Sequence, residues 1–320
     1  MKPEIYMTSF TPSVPETTTV SALTLARGRA AHLRNVILGL TRQTRQPDEL
    51  VIGVMQDRLY DDLPQTDFPI RQVQVTGREL PLSRARNTVA AEAMGDCLVF
   101  LDVDCIPAPE LIADYMGYAV PGNGLIMGEV NYLPAGTATE GWSYDTLKAV
   151  AVRHSDRQGP PAEGLKRCND YRCFWSLNFA IHRADWDRSG GFDERFTGYG
   201  GEDTDFGREL DERGVPIHWA KGAKVFHQHH PHCMPPIHHI PSILRNTEIF
   251  ADKWGHRTMN HWLTAFRLMG LVGADGDALV QLREPDADDF ALCEQQSDQP
   301  YANTARVLRY LRGEERIAAE

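Results

Sequence analysis

Three short stretches near the start of the chain constrain its fold more than anything that follows. Val20-Ser-Ala-Leu-Thr-Leu is a β-rich run that closes in the turn-like Ala26-Arg27-Gly28-Arg29. Leu33, Val36, Ile37 and Leu40 then recur at i, i+3, i+4 and i+7, the signature of one buried helical face, and Pro47-Asp48 marks its exit. Leu50-Val-Ile-Gly-Val-Met is a second, nearly continuous apolar run, ending at Gln56-Asp57. Strand, helix and strand with no hairpin turn between them imply a right-handed crossover and a parallel sheet.

The alternation continues. A short strand is expected near Val73 to Val75, a helix over Ser83 to Ala93 ended by Gly95, and a buried strand at Cys97-Leu-Val-Phe-Leu that runs into Asp102-Val103-Asp104. Helices follow over Glu110 to Tyr118 and Trp142 to Val152, with a strand over Gly124 to Val130 between them. Arg153 to Tyr171 breaks the pattern and reads equally as a surface loop or a mobile lid. Cys173 to Ile181, Val215 to Trp219 and Ala223 to Phe226 read as further strands. From Pro241 the chain turns helical, loosens through the acidic Asp286 to Asp289, and ends in a charged helix around Leu308. At 320 residues this is one large α/β domain with an appendage. Ligands of such sheets bind at the carboxyl ends of strands, which places Asp57 and the Asp102/Asp104 pair on one functional edge.

A net charge of -11 with no basic run argues against a nucleic-acid partner. Neither the Pro- and Thr-rich start nor any later run is apolar enough for a signal peptide or a bilayer span, so the expected location is cytoplasmic, with peripheral membrane contact left open. Six scattered cysteines with no Cys-x-x-Cys pair fit reduced thiols.

Gly190 to Asp205 suits neither a buried strand nor an amphipathic helix, because it holds five glycines and five carboxylates around three aromatics. Glycines let a ligand approach the main chain, and Phe192, Phe196 and Tyr199 can form the floor and wall of a pocket. Glu202 to Arg213 reads as a helix stopped by Gly214, so Glu202 and Asp203 sit at its first turn, where the dipole favours ionised carboxylates. Standing alone, such a pair more often caps a helix than does chemistry. Asp102-x-Asp104 offers hard oxygen ligands suited to Mg²⁺ or Mn²⁺. His227 ends a short strand and can add an imidazole. Half of the 12 histidines fall between His227 and His239, and a zinc site built from His227, His229, His230, His232 and Cys233 is the rival reading.

Phe100-Leu-Asp-Val-Asp, Trp175-Ser-Leu-Asn-Phe-Ala-Ile, Gly190-Gly-Phe-Asp-Glu-Arg-Phe with Gly198-Tyr-Gly-Gly-Glu-Asp-Thr-Asp, and Phe226-His-Gln occur in an order that resembles the family 2 glycosyltransferases of GT-A fold. Within them, the motifs are similar to the branch that shares its catalytic segment with β-1,4-galactosyltransferases and the chondroitin polymerase. The resemblance covers Val20 to His230. It implies a Rossmann-like, mostly parallel sheet flanked by helices, with a tail (1–19), a catalytic domain (20–236) and a mainly helical C-terminal extension (237–320). It also implies a metal-dependent inverting transferase that moves a sugar from a nucleotide-sugar donor, a UDP-sugar, to a hydroxyl of a glycan or small-molecule acceptor. By position, Asp203 becomes the general base, and Glu202, Gly201, Tyr199 and Trp175 face the acceptor. Asp57, Arg84, Asp102 and Arg27 face the donor. Asp104, His227 and Asp102 hold Mn²⁺ or Mg²⁺, with His229 an alternative to His227. A sugar-nucleotide pyrophosphorylase would need a Gly-rich phosphate loop after the first strand, which Ala26-Arg-Gly-Arg is not. A non-catalytic nucleotide-sugar or glycan-binding module, or a zinc-binding interaction protein, would not need metal set and base together.

Overall fold

The computed structural model describes residues 18–77, 79–155, 157–295 and 300–314; the expected N-terminal tail lies almost wholly outside them. In chain order the elements are β1 (Val20–Ala26), α1 (Ala30–Thr41), β2 (Glu49–Val54), β3 (Ile70–Gln74), α2 (Leu82–Glu92), β4 (Cys97–Asp102) and β5 (Cys105–Pro107). Next come α3 (Leu111–Met116), β6 (Leu125–Met127), β7 (Val130–Tyr132), α4 (Tyr144–Val150), β8 (Val152–Arg153), β9 (Leu165–Arg167), β10 (Asn178–His182), α5 (Arg183–Ser189) and α6 (Glu202–Glu212). The chain closes with β11 (Ile217–Ala220), β12 (Val225–His227), α7 (Ile240–Trp254), α8 (Asn260–Leu268), β13 (Val272–Asp275), β14 (Ala278–Gln281), α9 (Ala287–Cys293) and α10 (Thr304–Leu311).

The expected α/β architecture is present. The main sheet runs β3-β2-β1-β4-β10-β6-β11-β9, parallel from β3 to β4. Its strands are covered on both faces, which is why β1 and β2 are buried along their whole lengths. On one face Leu33, Val36, Ile37 and Leu40 of α1 and Leu111, Ile112 and Tyr115 of α3 pack on Ala22, Ile52 and Val99. On the other, Ala85 and Val89 of α2, Trp186 of α5, and Phe206 and Leu210 of α6 pack on Leu23, Val51, Leu98 and Phe100. Each such side chain contributes about 1.5–3 kcal/mol on burial, and Ile37→Ala would cost about 2–5 kcal/mol.

Several expectations need correction. The sheet is mainly parallel, as expected, but the strand expected at 173–181 does not follow that direction: β10 runs antiparallel to both β4 and β6. Gly124 to Val130 is two strands in two sheets, β7 belonging to the four-stranded β5-β12-β7-β8. The chain turns between them at Gly128, where a Cβ would run into the Ala223 carbonyl, Asn178 Nδ2 and the Tyr115 hydroxyl. Of Cys173 to Ile181 only Asn178 onward is strand; Trp175 and Ser176 lie in the irregular approach to it. The stretch 153–171 contains β9 and buries His154 and Arg157, so it is not simply a surface loop. Asp286 to Asp289 starts α9 through a capping box, Asp286 accepting from the Asp288 and Asp289 N–H groups. The β13–β14 hairpin and α5 were not anticipated.

Residues from 233 onward build their own apolar cluster, in which Ile240 and Ile243 meet Leu263, Phe266 and Cys293. Among the described residues no helix is long and apolar enough to cross a membrane.

Candidate active site

The registers explain why distant residues meet. Leu25 of β1 pairs with Asp102 of β4, and Ala26 with Val54 of β2, so the parallel strands end level. Because β10 is antiparallel, its amino end meets that same edge: Asn178 pairs with Leu101, and the Asp102 N–H donates to Leu177 O at 3.0 Å. Ser176 and Trp175 are thereby delivered to the mouth. In the second sheet His227 pairs with Cys105, and the Gln228 N–H donates to Asp104 O at 2.7 Å, which fixes His227 beside Asp104.

Asp104 is 5 % exposed. Its Oδ1 lies 3.4 Å from His227 Nε2, and its Oδ2 lies 3.2 Å from His230 Nε2 and 2.5 Å from Arg29 Nη1. One ligand atom each from Asp104, His227 and His230 lies within 4.8 Å of the others. Burial would push the Asp104 carboxyl up, yet His227, His230 and Arg29 together hold it well below the usual carboxylate range. Burial pushes His227 down to about 4, leaving the neutral imidazole that metal ligation requires. One carboxylate and two imidazoles are a mixed oxygen and nitrogen donor set for a first-row divalent ion, the carboxylate suiting Mn²⁺ and the imidazoles Zn²⁺ as well, and both imidazoles belong to the rival zinc reading.

This set differs from expectation in two members. His229 is not part of it; its carbonyl meets His32 Nε2 at 3.2 Å while His230 turns to Asp104. Asp102 is also outside the group, 3.9 Å from Arg86 Nη2, and burial with the charges of Asp104 and Asp203 pushes it up to about 7 against the pull of Arg86. Cys233 of the rival zinc reading is buried in the C-terminal cluster instead.

Glu202 and Asp203 open α6 behind Gly200 and Gly201, whose φ values of 90° and 93° strain any L side chain. Asp203 is not capping its own helix. Its Oδ2 accepts the Ser176 N–H at 3.0 Å across the cleft mouth, and its Oδ1 has no hydrogen-bond donor. The dipole does not keep Glu202 fully charged either: at 8 % exposure, burial and then the Asp203 charge push it up to about 7, with Arg86 opposing.

Arg86 is the residue that the motif Pro81-Leu-Ser-Arg-Ala-Arg-Asn hid. Its guanidinium is buried, donates to Ser176 Oγ at 2.5 Å, and stands 3.8 Å from Glu202 and 3.7 Å from Asp203. Arg84, the residue expected at the donor, is exposed and donates to the Thr76 carbonyl instead. Two residues along a helix are about 200° apart, so only one of the pair can face the site.

These groups line one cleft of about 1310 Å³, together with Arg27, Trp175, Tyr199 and Gly201. That exceeds the roughly 300–1,000 Å³ of a single small-molecule pocket, leaving room for two ligands. Phe192 and Phe196 do not line it; both are buried, Phe192 stacking on Phe206 at 4.0 Å. Asp57 follows β2 on the surface, its carbonyl accepting from Gln74 Nε2 at 2.8 Å, and it too lies outside the cleft wall.

Residues 21–186, just over half of the chain, match the family described as glycosyl transferase family 2. Residues 162–232 match a family described as the N-terminal domain of galactosyltransferase. The validoxylamine A glucosyltransferase of Streptomyces hygroscopicus subsp. limoneus is 25 % identical over 262 residues, covering 70 % of this chain and 54 % of its own. The chondroitin synthase of Escherichia coli is 28 % identical over 172 residues, covering 47 % of this chain and 25 % of its own. The chain thus spans about half the length, or less, of these curated relatives. Among solved structures, GalNAc-T7 with UDP, GalNAc and Mn²⁺ aligns over 67 % of this chain and 44 % of its own, with a TM-score of 0.49 and 15 % identity.

Proposed function

This chain belongs to glycosyl transferase family 2, and from that membership we propose that it moves a sugar from a UDP-sugar to a hydroxyl of a glycan or small-molecule acceptor, with inversion and with the help of a divalent metal. The observation that carries the reading is the placement of two different sets of groups in one cleft. Asp104, His227 and His230 are one set, and the other is Asp203, whose Oδ2 is anchored by the Ser176 N–H and whose buried Oδ1 lies 3.7 Å from Arg86 Nη1.

Asp104, His227 and His230 are the residues that would hold Mn²⁺ or Mg²⁺. A bound ion there supplies positive charge against the departing nucleoside diphosphate. Ser176 N–H fixes the Asp203 carboxylate through Oδ2, and that carboxylate takes the acceptor proton as the hydroxyl attacks the anomeric carbon. One base and one displacement invert the configuration. Glu202, pushed up to about 7, keeps a proton through much of the neutral range and suits a hydrogen bond to the acceptor more than a base. Arg86 between the carboxylates limits their mutual repulsion. Arg27 and Asp102, which line the cleft, are the donor-side contacts of this reading, whereas the exposed Asp57 follows β2 outside the cleft wall and is not among them.

In this reading residues 20–236 form the catalytic unit and 237–320 the extension, a division supported by the separate C-terminal apolar cluster. The test is a screen of nucleotide-sugar hydrolysis across UDP and GDP sugars with Mn²⁺, repeated in excess chelator. A released UDP that disappears on chelation supports the reading. No turnover of any donor, or full turnover in chelator, counts against it.

A further inference from the structure

The stretch 153–171 buries a charge that the proposed chemistry does not use. Just after β8 the Arg157 N–H donates to His154 O at 3.2 Å, closing a tight turn, and the side chain runs inward until the residue is only 8 % exposed. Its guanidinium carbon stands 5.1 Å from the centre of the Trp175 ring and 5.2 Å from that of Trp219 on β11. Among the described residues neither Nη1 nor Nη2 has a hydrogen-bond acceptor, and Nε1 of the same buried Trp219 has none either. His154 and Trp175 line the cleft and Arg157 does not, so these donors lie together behind the cleft wall.

Burying an unpaired charge costs far more than burying an unpaired dipole, and a guanidinium does not escape by giving up its proton. The side chains that act most strongly on Arg157 are Tyr132, Cys105, Tyr115 and Cys173. None is a carboxylate, and burial pushes all of them upward, so they are neutral near pH 7. The two indole faces offset part of the cost by cation–π attraction, but they accept none of the N–H groups. Water would accept from those groups and leave the charge uncompensated. An anion does both. It is small, because Nη1, Nη2 and Nε1 are closed off from solvent, and monovalent, because one guanidinium balances one charge.

We propose that Arg157 and Trp219 hold a monovalent anion of the size of chloride, and that this ion pins the 154–157 turn and Trp175 to β11. The site is independent of what the cleft transfers, so its test needs no sugar donor. Thermal unfolding of the full chain is followed at constant ionic strength while chloride replaces gluconate, an anion too large for the site, and chloride binding is read from ³⁵Cl NMR line broadening. The melting temperature should rise by roughly 2–4 °C for each tenfold increase in chloride above the dissociation constant. Arg157→Met, which keeps most of the side-chain volume and removes the charge, should melt alike in both salts and lose the excess broadening. Trp219→Phe keeps a ring and deletes the N–H, so its response should be smaller than that of the unaltered chain. If Arg157→Met does not fold, Trp219→Phe carries the test. An unaltered chain that melts alike in both salts without broadening the chloride line would overturn the proposal. So would a chloride response that is undiminished in Arg157→Met or, where that variant does not fold, in Trp219→Phe.

Discussion

Replacing Glu202 by Gln should make the protein more stable above neutrality while it harms transfer. Glu202 is 8 % exposed, and its carboxyl is pushed from the ordinary 4.5 to about 7, first by burial and then by Asp203, against the opposing charge of Arg86. An acid that titrates higher when folded binds its proton more tightly in the native state. Below 4.5 both states are protonated and nothing is lost; between 4.5 and 7 only the unfolded chain ionises, so stability falls as pH rises; above 7 the full cost is present. At about 1.4 kcal/mol per tenfold step the cost reaches at most about 3.5 kcal/mol. Gln keeps the shape and cannot ionise. Urea denaturation of the two proteins at about pH 4 and about pH 8.5 should therefore show near-equal stability at the first and a more stable variant at the second, by up to about 3.5 kcal/mol. A stability difference that does not change with pH, or a variant less stable at the higher pH, would refute the claim that Glu202 is buried at a cost.

Asp203→Asn keeps size but cannot accept a proton, so transfer should fall by about 10²- to 10⁴-fold with donor affinity and melting temperature unchanged; near-normal transfer would remove Asp203 from the base role. His230→Ala should weaken Mn²⁺ binding, read by calorimetry, by at least the roughly 10- to 100-fold that loss of an outer-shell partner costs, whereas His229→Ala should leave it intact. Arg27→Ala, which alters the cleft wall at the end of β1, should raise the donor Michaelis constant with little change in turnover, because a contact remote from the anomeric carbon acts alike in ground and transition states; a fall in turnover at fixed donor affinity would contradict its placement. Glu49→Gln should cost about 1.5–3 kcal/mol in chemical denaturation, because its buried carboxylate accepts from Ser21, the Met94 N–H and Arg71 at 2.6–2.7 Å, and an amide cannot satisfy all three.

The first half of the sheet was legible because period and burial agree: β1 and β2 are apolar throughout and α1 shows one face. The direction of β10 was not, since an apolar run such as Asn178 to His182 carries no sign of parallel or antiparallel pairing, and its reversal is what brings Ser176 to Asp203. Arg86 could have been found. Ser83, Ala85, Arg86, Val89 and Ala90 are the buried positions of α2, and the apolar stripe Ala85, Val89 and Ala90 runs beside Arg86 and misses Arg84. The β13–β14 hairpin was also signalled, by Gly276-Asp277 between Val272–Asp275 and Ala278–Gln281. The choice of His230 over His229 had no such signal, because periodicity ends with β12 at His227 and the turn alone decides which ring returns. Glu202 was misjudged for a related reason: the sequence shows a helix start, which favours charge, but not the burial that opposes it.

That burial comes partly from beyond the matched stretches, and it bears on how the base is held. The Gly200-Gly201 turn is not shaped by the α/β core alone. Asn246 of α7, 1 % exposed, donates from its amide to Gly200 O at 2.8 Å and to Thr197 O at 3.0 Å. A Cβ on Gly200 would sit 2.8 Å from Met259 Sδ and 3.0 Å from Trp262. One turn further along α6, Asp205 is bound by Lys253 at 3.0 Å and by Trp254 Nε1 at 2.7 Å. Gly200, two residues before the acidic pair, and Asp205, two residues after it, are thus both gripped by α7, so the C-terminal segment fixes the aim of Asp203 from two sides. The sheet edge, by contrast, positions Asp104 and His227 through backbone pairing that needs nothing from α7. A perturbation of the C-terminal segment should therefore separate the two halves of the site, leaving the metal-ligating groups in place while the carboxylate facing the acceptor loses its alignment.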